Sequence, residues 1–248
     1  MARLPRPKVL LVAGIAVVVV GAGLAAAVAG GLLLHDTSRP ASVTAAVRLF
    51  RQEDPKPALD EGVYVYDTTG GESLDVLNGA THRYPATTTI TVRRVGCGTQ
   101  LRWQALAERS TTWVLCRSGN SFVERSADEV HDFFGKVDRT SYRCTAGARG
   151  AFTCVSQHGR EHGVAVTAGR ETIAVGDARV SAVHIRTTAR ISGGDHGTET
   201  VDWWLSPGRA APIRVTMSSR TSRKEPIIGA AHYRERAELR LASLVPLT

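Results

Sequence analysis

The feature that most constrains this chain is a two-residue alternation near its C-terminus. Across residues 231–241, Ala231, Tyr233, Ala237, Leu239 and Leu241 share one face, while His232, Arg234, Arg236, Glu238 and Arg240 share the other. Successive side chains of a strand point to opposite faces, so this segment reads as a β-strand with one dry and one wet side. Glu235 is the exception, a carboxylate on the apolar face. Further strands are expected at 87–94, 163–167, 171–175, 180–191, 199–205 and 212–218. In the run Gly62-Val63-Tyr64-Val65-Tyr66 both faces are apolar, which predicts a strand covered on each side or lining a groove. Connections are short and turn-like, as at Thr68-Thr69-Gly70-Gly71, Gly176-Asp177, Ser192-Gly193-Gly194-Asp195 and Ser206-Pro207-Gly208. Such turns join antiparallel strands, whereas parallel sheets need longer crossovers. Residues 128–134 are the one convincing helical candidate. The expected fold is mainly β: residues 62–248 form one large curved antiparallel sheet, a half-barrel or open barrel, with at most one or two short helices.

The N-terminus has a different character. Arg3, Arg6 and Lys8 lie in a basic segment, 1–8, ahead of an uncharged apolar run at 9–34. As a helix that run would extend about 39 Å, against about 30 Å for a bilayer core. The positive-inside rule then predicts a single-pass plasma-membrane protein, its N-terminus cytoplasmic and its C-terminal domain extracytoplasmic. A cleaved signal peptide is the competing reading, with Ala27-Val28-Ala29 as a cleavage site, but the run exceeds the usual length of such segments. No cysteine lies near its end, which argues against a lipoprotein anchor. Residues 35–61, with Pro40, Pro55, Pro57 and many charges, read as a stalk in which 43–51 supplies a helical turn or two.

The formal charge is +8, partly owed to the three N-terminal basic residues. The remaining arginines are dispersed in the sequence, and nucleic-acid binders usually concentrate charge and interleave aromatics with it. No nucleic-acid partner is expected; a mild basic excess fits anionic lipid or wall polymer, or simply an arginine-rich composition. Four cysteines, Cys97, Cys116, Cys144 and Cys154, suit an oxidising compartment and two disulfides. Three connectivities are possible, and the spacing favours local pairs: Cys144 and Cys154 flank the turn signal Gly147-Ala148-Arg149-Gly150, and Cys97 and Cys116 bracket two short apolar runs. Neither pair has the tight spacing of a zinc knuckle, and no metal or other cofactor is expected.

Several segments carry a family resemblance: Gly62–Glu72 as Gly-Val-Tyr-Val-Tyr-Asp-Thr-Thr-Gly-Gly-Glu, Thr81-His82-Arg83-Tyr84-Pro85, Gly96-Cys97-Gly98, Leu101-Arg102-Trp103, Trp113-Val114-Leu115-Cys116 and Thr200-Val201-Asp202-Trp203-Trp204-Leu205-Ser206-Pro207. They resemble a family of actinobacterial membrane-anchored exported proteins of uncharacterised function. More distantly, Trp204-Leu205-Ser206-Pro207 followed by Pro212-Ile213-Arg214 is similar to the half-barrel sheets of periplasmic lipoprotein carriers. That resemblance implies an apolar concave face that holds acyl chains.

Candidate sites are few. His158-Gly159-Arg160-Glu161-His162 could bring two histidines together only across a hairpin, since on one extended strand they stand about 13 Å apart. A polar hairpin tip is the simpler reading. Asp195, His196, Glu199 and Asp202 offer acid–base groups, yet the sequence has no nucleophile elbow, Walker loop or dinucleotide fingerprint. No enzymatic activity is expected. Tyr64, Tyr66, Trp103, Trp113 and Trp204 are the candidate lining of a ligand groove, with core packing as the alternative. Trp203 and Trp204 must face opposite sides of the sheet. The expected function is a membrane-anchored extracytoplasmic binding or interaction domain of the cell envelope, its partner a lipid, a lipoglycan or another envelope protein. Carriage of a lipid or lipoglycan on a concave sheet face, or an extracytoplasmic hydrolase, are the alternatives.

Overall fold

A computed structural model describes residues 38–54, 57–58, 60–75, 79–118, 121–225 and 229–248. One α-helix, α1 (Val43–Glu53), precedes the strands β1 (Gly62–Asp75), β2 (Ala80–Arg83), β3 (Thr87–Val95) and β4 (Gly98–Gln104). Next come β5 (Ser110–Ser118), β6 (Ser121–Phe133), β7 (Lys136–Ala146), β8 (Ala151–Ser156) and β9 (Gly159–Val175). The series ends with β10 (Ala178–Gly193), β11 (Asp195–Leu205), β12 (Arg214–Glu225) and β13 (Gly229–Leu241). From β3 onward each strand pairs antiparallel with the next, as the short turns predict.

The expected open or half-open sheet is corrected by one pairing. β13 returns to β1, with Tyr66 opposite Leu241 and Asp75 opposite His232, so twelve strands close into an antiparallel barrel. β2 adds a short extra pairing on β1, in line with β3. Closure satisfies the edge groups that an open sheet of long strands would expose. It also requires β1 and β13 to approach closely at Gly70. A β-carbon there would lie 2.0 Å from the backbone oxygen of Arg236, and the φ of +121° favours glycine.

Alternation then sorts residues between lumen and outer wall. One part of the lumen is filled by Tyr66, Ile90, Leu101, Trp103, Trp113, Trp203, Val215 and Leu239, all buried. The aromatic rings pack edge-on or stacked: Trp203 lies 5.2 Å from Trp113, Trp113 lies 6.5 Å from Trp103, and Tyr84 lies 5.2 Å from Trp103.

Part of the segment read as a stalk is α1. Ser42 caps it by accepting a hydrogen bond from the Ala45 amide at 3.2 Å. Phe50 is 1% exposed beneath the guanidinium of Arg93. The run 9–34, read as a membrane anchor, lies outside the described residues. Among those described, α1 has 11 residues and no helix is long and apolar enough to cross a membrane. Among the described residues the expected transmembrane helix and single-pass plasma-membrane placement find no support.

The helix expected at 128–134 is also corrected: these residues belong mainly to β6. Glu129, His131 and Phe133 fall on the lumen side, a two-residue period that tertiary pairing with β5 and β7 enforces. A β-bulge opposite Val114 and Leu115 lets β6 skip Arg125 in the pairing, so Glu124 faces the same side as Ala127 and Glu129. The disulfides join Cys97 to Cys116 and Cys144 to Cys154. Gly70→Ala should prise open the β1–β13 seam and lower stability by about 2–3 kcal/mol. Gly208→Ala, where nothing lies within 4 Å of the added carbon, should stay within about 0.5 kcal/mol of the parent in the same urea titration.

Candidate functional site

The lumen beyond the aromatic core is acidic. Hydrogen-bonded neighbours place Glu199, Ser219, Glu235 and Glu72 on one inward rung across β11, β12, β13 and β1. Arg109, from the β4–β5 connection, reaches into this region and is 1% exposed. Its Nη2 donates to Glu235 Oε2 at 3.1 Å and Oε1 at 3.3 Å. Its Nη1 donates to the Ser110 carbonyl at 2.9 Å and to Thr111 Oγ1 at 2.5 Å. Nε lies 3.4 Å from Glu72 Oε2, a charge contact without hydrogen-bond geometry. The Tyr84 hydroxyl donates to Glu235. The Tyr233 hydroxyl stands 2.9 Å from Glu72 Oε2 and 3.0 Å from Glu235 Oε2.

Two histidines complete the cluster. Nδ1 of His82 lies 2.9 Å and Nδ1 of His131 lies 3.2 Å from the two oxygens of Glu72. Nε2 of His131 is 3.7 Å from Glu129. Burial alone would raise the pKa of Glu72, but hydrogen bonds to His131 and His82 and the charge of Arg109 outweigh it and hold the group well below the usual carboxylate range. Glu129 is lowered in the same way: burial opposes charge, while its contact with His131 and the field of Arg109 favour it. For His131, burial and Arg109 disfavour the charged form, yet its contact with Glu129 and its hydrogen bond with Glu72 raise its pKa above the ordinary histidine value. This half of the lumen is a cross-linked ionic network in which Arg109 Nε is left without a hydrogen bond.

The adjoining half is different. A cavity of about 310 Å³ is walled by Leu115, Phe122, Phe152, Val201, Trp203 and Leu205, and into it project Glu124, Glu161 and Glu199. Gly163 makes room for the Phe152 ring, because a β-carbon there would fall 2.4 Å from its Cζ. The three carboxylates have no proton donor among the described residues. Sγ of Cys144 lies 3.9 Å from Glu124, but a disulfide sulfur has no proton to give. Burial, reinforced by Glu161 and Glu129, pushes Glu124 up to about 8. Burial and Glu129 push Glu161 up to about 7. Burial, with Glu161 and Glu129 nearby, raises Glu199 well above the ordinary range. Glu124, Cys144 and Cys154 are the only described residues whose donor atoms converge as metal ligands would. Both sulfurs are held in the disulfide, so the grouping lacks the thiolates a metal would need.

The residues singled out from sequence are dispersed. Tyr66, hydrogen-bonded to the Pro212 carbonyl at 2.7 Å, and Trp103, hydrogen-bonded to Thr88 Oγ1 at 3.0 Å, are fully buried core. Tyr64 donates to the Asp60 carbonyl at 3.1 Å, and Trp113 packs between Trp103 and Trp203. Trp204 faces outward between His184, stacked at 4.2 Å, and the guanidinium of Arg214 at 4.5 Å. None of these five lines the cavity; Trp203 does. His162 approaches Thr153 at 3.1 Å while His158 stands 3.6 Å from Asp138, so they do not converge. Asp195 pairs with Arg223 at 2.5 Å, His196 is exposed, and Asp202 binds His184 at 2.6 Å and Arg186 at 2.8 Å on the outer wall. Sequence reasoning missed Arg109, Glu124, Glu129 and His131, and took Glu161 only as part of a hairpin tip. Glu199 was read only as an acid–base group; its shared face with Val201, Trp203 and Leu205 is the signal that could have placed it in the lumen.

Comparison with known proteins finds no matching family model, no matching curated protein and no matching solved structure.

Two outcomes follow from the charge pattern. A carboxyl whose pKa rises on folding binds its proton more tightly when folded, so Glu124 and Glu161 reduce stability as pH climbs from the carboxylate range to about 8. Glu72, lowered on folding, contributes stability above that range and loses it as pH falls. Calorimetry should therefore give a higher Tm at about pH 5.5 than at about pH 8.5, and Glu199→Gln should flatten that slope. Arg109→Met strands Glu72 and Glu235 without their cation and should cost about 3–5 kcal/mol by chemical denaturation.

Proposed function

We propose that the chain is a small-molecule-binding barrel that encloses one apolar ligand in its lumen through a basic head group. The observation that carries this reading is the cavity itself: an aliphatic and aromatic wall interrupted by three carboxylates that none of the described residues neutralises. Ligand sites commonly combine a largely apolar lining with a few convergent polar groups. A protonated amine among Glu124, Glu161 and Glu199 would supply the missing charge and donors, whereas an anionic head would add to the repulsion.

Size narrows the ligand further. About 310 Å³ is near the lower end of ligand pockets, enough for a single short chain or ring system and too small for a diacyl lipid or a lipoglycan. Lipid carriage on a concave face thus becomes enclosure of a smaller amphiphile in a closed lumen. The ionic network around Arg109 suits a rigid flank for such a site, because its side chains are already fixed by mutual hydrogen bonds.

Dodecylamine and dodecanoate, matched in chain length and opposite in charge, test this reading on the full chain. At about pH 8 the amine should bind at least about tenfold more tightly by calorimetric titration, a gap of roughly 1.4 kcal/mol. Glu124→Gln with Glu199→Gln should shrink the gap. Equal or tighter binding of dodecanoate would overturn the basic-head assignment. Failure of both, together with native mass spectra that show no extractable ligand, would leave the lumen with a purely structural role.

A further inference from the structure

The outer wall of the same strands carries a second, independent charge pattern. Hydrogen-bonded neighbours define one outward rung that runs Arg190, Thr198, Arg220, Arg234, Ser73 and Thr81 across β10, β11, β12, β13, β1 and β2. The next rung runs Thr188, Thr200, Ser218, Arg236, Gly71 and Arg83. Together they hold five arginines and no carboxylate. Arg83, Arg190, Arg220, Arg234 and Arg236 are all exposed, and none has an ion-pair or hydrogen-bond partner among the described residues. A surface depression of about 480 Å³ opens beside four of them, Arg83, Arg220, Arg234 and Arg236.

The wall supplies its own control. Farther along the same strands, arginines are matched with acids: Arg186 with Asp202 at 2.8 Å, and Arg214 and Arg240 with Glu238 at 2.7 Å each. An arginine-rich composition alone would not separate paired from unpaired arginines by rung. Arg220 and Arg234 stand directly opposite each other, an arrangement that destabilises a bare sheet and that a bound anion reverses.

We infer that this face binds a linear anionic polysaccharide, a polymer that carries negative groups on its sugars. Three features select that occupant. The arginines extend over five strand spacings, about 24 Å at roughly 4.8 Å per strand, around nearly half of a twelve-strand ring. A flat bilayer touching a convex wall of that curvature reaches only its middle, whereas a flexible chain follows it. The two rungs contain no aromatic side chain on which unstacked bases would rest, unlike general single-strand nucleic-acid sites. They do contain hydroxyls at Thr188, Thr198, Thr200 and Ser218, which can exchange hydrogen bonds with sugar hydroxyls.

The test uses the full chain and labelled dextran sulfate as the probe. Two double variants remove equal charge: Arg83→Gln with Arg190→Gln at the two ends of the arc, and Arg102→Gln with Arg139→Gln on the outward faces of β4 and β7. The first should weaken binding about tenfold near 0.1 M salt and lower the slope of log affinity against log salt by about 1.5, as expected for two lost charge contacts. The second should stay within about twofold, and both should melt close to the parent because all four side chains are exposed. Equal loss in the two doubles would overturn the localised site. Tighter binding of phosphatidylglycerol vesicles than of dextran sulfate, with the end variant unaffected, would show a membrane-facing patch instead. Tighter binding of oligothymidylate would show a nucleic-acid surface instead.

Discussion

The guanidinium of Arg109 is the interaction on which the lumen depends. Burying several carboxylates in one barrel is tolerable only where their charge is matched or removed. Arg109 matches Glu235 by direct hydrogen bonds and Glu72 by proximity, and these acids belong to the two strands whose pairing closes the ring. One side chain from the β4–β5 connection therefore ties that connection to the seam between β13 and β1. Tyr84, Tyr233, His82 and His131 satisfy much of the remaining hydrogen-bonding capacity, so the network is fixed in geometry as well as charge.

Beyond the reach of Arg109 the other solution operates: Glu124, Glu161 and Glu199 become reluctant to ionise. The lumen thus has a charged, closed half and a protonatable, open half. The wall between lumen and solvent is polarised as well. In Arg234-Glu235-Arg236 the carboxylate points inward and both guanidiniums outward, so alternation separates opposite charges across one layer of sheet. Acid inside and base outside give the two surfaces opposite charge, and on β13 three consecutive residues contribute to both.

How much of this was legible follows from what period-two patterning can and cannot carry. β13 was readable residue by residue, and its one irregularity, Glu235, marks the centre of the ionic network. Local turn chemistry around Gly147-Ala148-Arg149-Gly150 pointed to the Cys144–Cys154 pair. Closure was not readable, because the partner of β13 lies far away in sequence at β1 and nothing local records that meeting. Residues 128–134 looked helical because isolated propensity outweighed a short alternation that only the flanking strands enforce. Trp204 looked like a groove residue because adjacency to Trp203 shows that the two rings diverge, not which of them meets the lumen. Arg109 was hidden in a short connection, and its role depends on two glutamates from strands remote in sequence.

The bulge in β6 has a consequence of its own. Glu124 and Glu129 are five positions apart, an odd separation that would place them on opposite sides of a regular strand. Looping out Arg125 shifts the phase by one, and both carboxylates then reach the interior. The acidity of the interior therefore depends on the path of the backbone as well as on residue identity. Deleting Arg125 would make the separation even and keep both carboxylates inward on a regular strand, whereas losing the bulge while keeping Arg125 would turn one flank of the strand inside out. Backbone path in this stretch is as much a determinant of chemistry as the side chains themselves.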